Sequence, residues 1–266
     1  MFKDRVALIT GGSSGIGLSV ARKLAAGGAR VALVARTESK LRAAAGELRG
    51  EAFPLDVSDL AALEKLPERV VERCGRLDIV VNNAGVNHRG AMLDWPPLKL
   101  AEVITTNLTA PVVLSRAAAP LLREGGAIVN VASLAGMVPV HHEAAYSASK
   151  AGLRAFTRVV AEELRPRGIR VAVVCPGPVD TDFFGDIEKV PDLVFSQPMS
   201  SPERVADAVL SCLVADRVEV ALPWLSGKLA TLGYLSPSLL RALRPFFERI
   251  GARKKRAYIE RKRAAT

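Results

Sequence analysis

The apolar run at 5–9 opens directly into Thr10-Gly11-Gly12-Ser13-Ser14-Gly15-Ile16-Gly17, and a helical pattern follows at once. A buried strand that ends in a glycine-rich turn and feeds a helix points to a parallel sheet covered by helices. Such a turn lies at a helix N-terminus, where unpaired N–H groups and the helix dipole attract phosphate. Gly11 permits the tight turn, Gly15 lets backbone approach a pyrophosphate, and Gly17 allows helix to pack closely on strand, with Ser13, Ser14 and Ile16 completing the cradle. A plain strand-to-helix turn is the rival reading, and the residues further along weigh against it.

The same rhythm continues down the chain. Further short apolar and β-branched runs stand at 30–35, 51–55, 77–81, 126–132, 169–174 and 217–221. Between them, apolar residues recur at three- and four-residue spacing over 18–26, 41–48, 60–74, 99–122, 145–164 and 202–215. Strands alternating with helices imply right-handed crossovers and ligands at the carboxyl edge of the sheet. Residues 182–201, rich in Phe, Asp and Pro, fall outside the rhythm and read as a loop with a short helix. No internal repeat or compositional break marks a second domain within residues 1–223, and 224–266 form a basic, amphipathic extension.

Residues with ligand chemistry collect at that carboxyl edge. The second strand ends Val34-Ala35-Arg36-Thr37. An acidic residue there would bind both ribose hydroxyls of NAD, whereas the Arg36 guanidinium suits a 2′-phosphate and Thr37 adds a hydroxyl. This favours NADP over NAD, with Glu38 as the residue that would serve ribose instead. After the third strand, Asp56 and Val57 are placed to meet an adenine through the carboxylate and a backbone amide. Asn82-Asn83-Ala84-Gly85 follows the fourth.

Tyr146 and Lys150 lie four residues apart, thirteen and seventeen residues after Ser133. On a helix that spacing stacks a phenol and an ammonium on one face. A nearby positive charge is expected to lower the phenol's pKa toward the range of a useful general acid, and the Ser133 hydroxyl would hold a substrate oxygen beside it. Alone, a Tyr-x-x-x-Lys pair describes many half-buried tyrosines. Here it stands with the glycine turn and the Asn-Asn-Ala-Gly motif.

Taken together, Thr10-Gly-x-x-x-Gly-x-Gly17, Asn82-Asn-Ala-Gly85, Asn107, Ser133, Tyr146-x-x-x-Lys150 and Pro176-Gly177-Pro178-Val179-Asp180-Thr181 resemble the short-chain dehydrogenase/reductase family over about residues 4–222. The resemblance implies a single-domain α/β Rossmann fold, doubly wound around a seven-stranded parallel sheet with helices on both faces. It also implies carbonyl/alcohol redox chemistry with NAD(P)(H). By motif position, Tyr146 is the proton donor in reduction and the base in oxidation. Lys150 binds the nicotinamide ribose and tunes Tyr146, Ser133 polarises the substrate oxygen, and Asn107 holds a relay water. Asn83, Ala84 and Gly85 lie over the cofactor. Pro176 and Gly177 form the turn that presents Val179 to the carboxamide, and Thr181 contacts the cofactor nearby. In place of the Gly-rich close of many tetrameric members, the chain reads Glu219-Val220-Ala221-Leu222-Pro223-Trp224. That weighs against the usual tetramer contact and against a role like that of the acyl-carrier-protein reductases, although a homo-oligomer (dimer or tetramer) is still expected.

Met137, Val138, Val140, Pro178, Phe183, Phe184 and Leu193 are expected pocket walls and suggest a lipophilic substrate. His141 and His142 are read as a loop pair facing solvent. The three cysteines, Cys74, Cys175 and Cys212, are far apart and lack metal-ligand spacing, so no metal site is expected and a reducing, cytoplasmic compartment is.

The formal charge is +10, but residues 241–266 hold ten basic and two acidic residues and so carry +8 of it. The apolar residues Leu243, Phe246, Phe247 and Ile250 of this segment, with Leu225, Leu229, Leu232 and Leu239 before them, recur at roughly helical spacing. Packing of this stripe on the substrate pocket or on a second subunit is the favoured reading. Peripheral membrane contact is the rival, and nucleic acid is not expected, since stacking aromatics are lacking. For the whole chain, an NAD-dependent alcohol dehydrogenase and a non-catalytic NADP-binding sensor on the same fold are the alternatives to an NADP(H)-dependent reductase.

Overall fold

A computed structural model describes residues 1–264, apart from the side chains of Pro237, Leu239, Leu240 and Ala264. The elements run β1 (Val6–Thr10), α1 (Gly15–Ala26), β2 (Arg30–Ala35), α2 (Glu38–Glu47), β3 (Glu51–Pro54), α3 (Leu60–Glu64), α4 (Leu66–Cys74) and β4 (Ile79–Asn82). Then come α5 (Pro97–Ile104), α6 (Ala110–Ala118), β5 (Ala127–Val131), α7 (Ala144–Leu164), β6 (Arg170–Pro176), α8 (Asp192–Ser196), α9 (Pro202–Val214), β7 (Glu219–Leu222), α10 (Trp224–Leu235) and α11 (Pro237–Ala264). The seven strands form one parallel sheet in the order β3-β2-β1-β4-β5-β6-β7. The order reverses between β1 and β4, which opens a crevice at their carboxyl ends.

Alternation along the strands divides the core. Ala7 and Ile9 point to the face covered by α1, α2 and α9, while Val6 and Leu8 point to the face covered by α3, α4, α6 and α7. Because both faces are buried, the strands carry nearly unbroken apolar runs.

Two long helical patterns are interrupted. The segment 60–74 breaks at Lys65, where Pro67 at the second position of a new helix cannot extend the first one's hydrogen bonds. The segment 99–122 contains a wider π turn at Thr105–Thr109, just ahead of Pro111, and Asn107 lies inside it.

Residues 182–201 hold two single turns, Asp182–Phe184 and Ile187–Lys189, followed by α8. Their ends are pinned together: Asp180 N donates to Ser200 O at 3.1 Å, and Ser200 N donates to Pro178 O at 2.9 Å. The segment is therefore a closed flap over the sheet edge, and α11 lies against it. Among the described residues, no helix is long and apolar enough to cross a membrane.

Candidate active site

The carboxyl ends of β1, β4, β5 and β6 open onto one cleft of about 500 Å³. The turn after β1 supplies its phosphate-sized end. Gly11 and Gly15 adopt φ of +65° and +52°, conformations that cost a residue with a Cβ. A Cβ on Gly17 would collide with the Gly11 carbonyl oxygen, so the first turn of α1 closes tightly on β1. α1 has no side-chain cap and no acidic residue in its first turn, which leaves its N-terminal N–H groups to an incoming anion. A dinucleotide fits this cradle.

Thr10 couples the two turns. Its Oγ1 accepts from Asn83 N at 3.0 Å and from Ala84 N at 3.1 Å, and Asn83 Nδ2 donates back to Thr10 O at 3.0 Å. Below them, Asn82, Asn130 and Thr157 form a buried polar chain joining β4, β5 and α7, with Nδ2 of Asn82 on Oδ1 of Asn130 at 2.7 Å and Nδ2 of Asn130 on Oγ1 of Thr157 at 2.8 Å. Each of these groups is satisfied, so the chain stiffens the platform under the cleft. Asn107 grips Val86 from both sides, accepting from its N–H at 2.8 Å and donating to its carbonyl at 2.9 Å, and it reaches Ser149 Oγ at 3.2 Å. Its side chain thereby fixes the turn after β4.

Ser133, Tyr146 and Lys150 meet in the cleft. Ser133 follows β5, where its Oγ caps a short turn by accepting from Ala135 N at 3.1 Å. Tyr146 and Lys150 share one face of α7. Lys150 Nζ donates to the Val131 carbonyl at 2.8 Å and stands 5.8 Å from the centre of the Tyr146 ring. Burial pulls its pKa down to about 8.

For Tyr146 the outcome is opposite to the sequence expectation. Part of the ring faces the cleft, but protein crowds the phenol elsewhere. Burial pushes its pKa up to about 12, the Glu143 carboxylate adds to the rise, and a hydrogen bond with Ser133 and the charge of Arg89 oppose it. The ammonium of Lys150 is directed to a carbonyl, so desolvation wins over any help it gives the phenolate. The phenol is held in its protonated form, which is the form a proton donor needs.

Of the residues expected at the site, Gly11, Ser14, Gly15, Ile16, Asn83, Ala84, Gly85, Ser133, Tyr146, Lys150, Pro176, Gly177, Val179 and Thr181 line the cleft. Gly17 and Asn107 support it from behind, and Ser13 is a partly buried residue of the turn after β1 that does not line it. Arg36, Thr37, Asp56 and Val57 lie past its enclosed part, at the ends of β2 and β3. There Arg36 and Asp56 form an exposed ion pair at 3.7 Å, Thr37 precedes α2, and the Val57 side chain joins the core. Among the expected walls, Val138, Val140, Pro178, Phe183, Phe184 and Leu193 line the cleft, whereas Met137 is packed into the core with Leu153 and Cys175. His141 and His142 are exposed, in keeping with their reading as a solvent-facing loop pair.

Two site residues were missed. Arg89 Nε donates to Glu143 Oε1 at 2.9 Å, both side chains are largely buried, and both line the cleft beside Tyr146. Arg89 also donates to the Phe184 carbonyl at 3.0 Å and lies over the rings of Phe183 and Phe184. The pair thus ties the turn after β4, the start of α7 and the flap together. Its members are 54 residues apart in sequence, and no local pattern links them. The available signal was a lone carboxylate three residues before Tyr146.

The tail also shapes the site. Phe247, Leu229, Ser226 and Ala230 form part of the cleft wall. Tyr258 packs with Phe184, Val190 and Phe195 of the flap. Lys255 Nζ donates to the carbonyls of Glu188 at 2.9 Å and Val190 at 2.8 Å. Of the apolar stripe expected to pack on the pocket or on a second subunit, Leu229 and Phe247 line the cleft, whereas Leu225, Leu232, Leu243 and Phe246 are exposed. The side chain of Leu239 lies outside the described residues.

The short chain dehydrogenase family model matches residues 5–191. The granaticin polyketide synthase putative ketoacyl reductase 1 of Streptomyces violaceoruber is 43% identical over 66% of this chain and 68% of its own. The ketoacyl reductase HetN of Nostoc sp. is 32% identical over 95% of this chain and 92% of its own. Among solved structures, a short chain dehydrogenase from Burkholderia cenocepacia in complex with NADP superposes with a TM-score of 0.77 at 33% identity, covering 83% of this chain and 96% of that one. With its seven-stranded sheet and this array at the carboxyl edge, the chain belongs to the short-chain dehydrogenase/reductase family of NAD(P)-binding oxidoreductases.

Proposed function

We propose that the protein is an NADP(H)-dependent oxidoreductase that interconverts a carbonyl and a secondary alcohol on a lipophilic substrate. The observation that carries this reading is the meeting of Ser133, Tyr146 and Lys150 in a cleft walled by Val138, Val140, Phe183, Phe184 and Leu193. Gly11, Ser14, Gly15 and Ile16 would hold the pyrophosphate, Asn83, Ala84 and Gly85 the middle of the cofactor, and Val179 and Thr181 the carboxamide end. Arg36 and Thr37 would take a 2′-phosphate, and Asp56 and Val57 the adenine. When bound, the dinucleotide supplies or takes up a hydride at the substrate carbon. Tyr146 gives its proton to the carbonyl oxygen, Ser133 holds that oxygen, and Lys150 anchors the ribose. Asn107 holds the turn on which this geometry rests.

Burial keeps the Tyr146 phenol protonated in the free enzyme, the state from which it donates in reduction; as a base in oxidation it would first have to lose that proton. The apolar walls suit an alkyl or acyl chain. The names of the ketoacyl reductase relatives place ketoacyl compounds among the carbonyls to be tried. The same reading includes a homo-oligomer, which sedimentation measures, and a cytoplasmic location.

The test is turnover of a carbonyl panel with NADPH and with NADH, beside thermal melting with each. Occupancy at 100 times the dissociation constant adds about 2.7 kcal/mol, so the preferred dinucleotide raises Tm further at equal concentration. Tyr146→Phe should bind NADPH and lose turnover. A Tyr146→Phe enzyme that keeps a near-normal rate would refute the assignment.

A further inference from the structure

α10 is built the wrong way round for a helix facing water. Its buried residues are the small ones, Ser226, Gly227, Ala230 and Gly233. Its large residues, Trp224, Leu225, Leu229, Leu232, Tyr234 and Leu235, are 49–74% exposed. Leu225, Leu229, Leu232 and Leu235 recur at three- and four-residue spacing and so share one face. A helix on a water-facing surface ordinarily turns its large apolar side chains inward. The apolar surface continues on α11, where Leu243 and Phe246 are 42% and 60% exposed. Contiguous apolar exposure of this size marks a contact with something else.

Two further observations say what that contact is. First, Leu229 is both half-exposed and part of the cleft wall, and Phe247, next to the exposed Phe246, also lines the cleft. The cleft therefore reaches the surface at this patch. Second, the patch adjoins the basic end of the chain. Lys228 is the one charged residue of α10, and Arg241, Arg249, Arg253 and Arg256 are exposed along α11. A second copy meeting this face would bring two strongly positive tails together, and like charges across an interface oppose docking. An acidic lipid surface complements the charge and dissolves the apolar side chains at once.

We propose that α10 and the first turns of α11 dock on an anionic lipid surface, with the mouth of the cleft turned toward the bilayer. Lipophilic molecules dissolved in that bilayer would then reach Tyr146 without crossing water. The docking does not depend on the oxidoreductase reading, because it is measured without turnover.

The experiment is co-sedimentation of the full chain with vesicles of phosphatidylcholine alone or mixed with phosphatidylglycerol, at low and high salt, for the wild type and Leu232→Asp/Leu235→Asp. Neither substituted side chain lines the cleft, so turnover of a water-soluble carbonyl and the melting curve report that the variant is folded. The wild type should partition onto phosphatidylglycerol vesicles, less so at high salt, and the variant should bind at least about tenfold more weakly. Equal binding by wild type and variant, equal binding to neutral and anionic vesicles, or no binding would overturn the proposal. So would a concentration-dependent dimer that the variant abolishes, seen by sedimentation velocity without vesicle binding, since it would make a second copy the occupant.

Discussion

The Tyr258 hydroxyl donates to Asp180 Oδ1 at 2.6 Å, across 78 residues of chain. Lys262 Nζ reaches the same oxygen at 2.9 Å. Burial alone would raise the Asp180 carboxyl, but Tyr258 and Lys262 outweigh it and hold the group below its ordinary range. Asp180 lies between Val179 and Thr181, both of which line the cleft. The tail thereby grips the strand exit that borders the site. Tyr258→Phe removes one hydrogen bond to a charged acceptor and should lower stability by about 1–2 kcal/mol. It should raise KM for cofactor or substrate more than it lowers kcat. Denaturant titration and steady-state kinetics check both.

Gly251 brings α11 against α8 so closely that a Cβ there would collide with the Asp192 carbonyl oxygen. Backbone on both sides leaves nothing flexible to yield. Gly251→Ala should therefore lift the tail from the flap at a cost of about 1–3 kcal/mol. Gly46 in α2 is the control, because a Cβ there meets open space, and Gly46→Ala should stabilise by about 0.5–1 kcal/mol. Thermal melting of the two variants should move in opposite directions, with limited proteolysis of the flap increasing for Gly251→Ala alone.

The buried Arg89–Glu143 pair should show strong coupling. Removing one partner strands a charge in a poorly solvated place, so Arg89→Met or Glu143→Leu alone should cost about 3–5 kcal/mol. The double variant should recover much of that loss. A double-mutant cycle in urea measures the coupling. Because Arg89 also ties down the flap, each single variant should lose turnover beyond what its lost stability explains.

Lys150 makes stability depend on alkaline pH in a definite direction. Its ordinary pKa of 10.5 falls to about 8 in the fold. Between those values the unfolded chain holds a proton that the folded chain has released. Raising the pH through that window therefore favours the fold. The wild-type urea midpoint should rise relative to that of Lys150→Met between pH 8 and 10.5. Parallel curves for the two proteins would show that burial does not depress the amine.

Arg36 lies beyond the enclosed cleft, paired with Asp56 and largely exposed. If it receives a 2′-phosphate, Arg36→Ala should weaken NADPH by about 10–100-fold, the worth of a hydrogen bond to a charged group, while leaving NADH nearly unchanged. Isothermal titration with both cofactors decides it. Equal losses for the two would show that Arg36 does not read the phosphate.

The linear order of residues was enough for the strands, the glycine turn and the shared helix face of Tyr146 and Lys150, because each rests on a local rule. Ser133, on another element, was set beside them only by the motif resemblance. Strand and helix follow from apolar period, a turn follows from glycines that tolerate positive φ, and a four-residue step puts two side chains on one helix face. Helix breaks inside 60–74 and 99–122 were less legible, since the apolar pattern runs through both while proline and the π turn act on backbone hydrogen bonds. Tertiary structure alone decided the sign of the Tyr146 shift, because burial depends on what surrounds the ring and not on which residue is four places away. It also decided the Arg89–Glu143 pair, the grip of Tyr258 on Asp180, and the outward turn of the large residues of α10. Each of these joins segments far apart in the chain or depends on which face of a helix the sheet covers, and neither the distance nor the facing is set until the whole chain has packed.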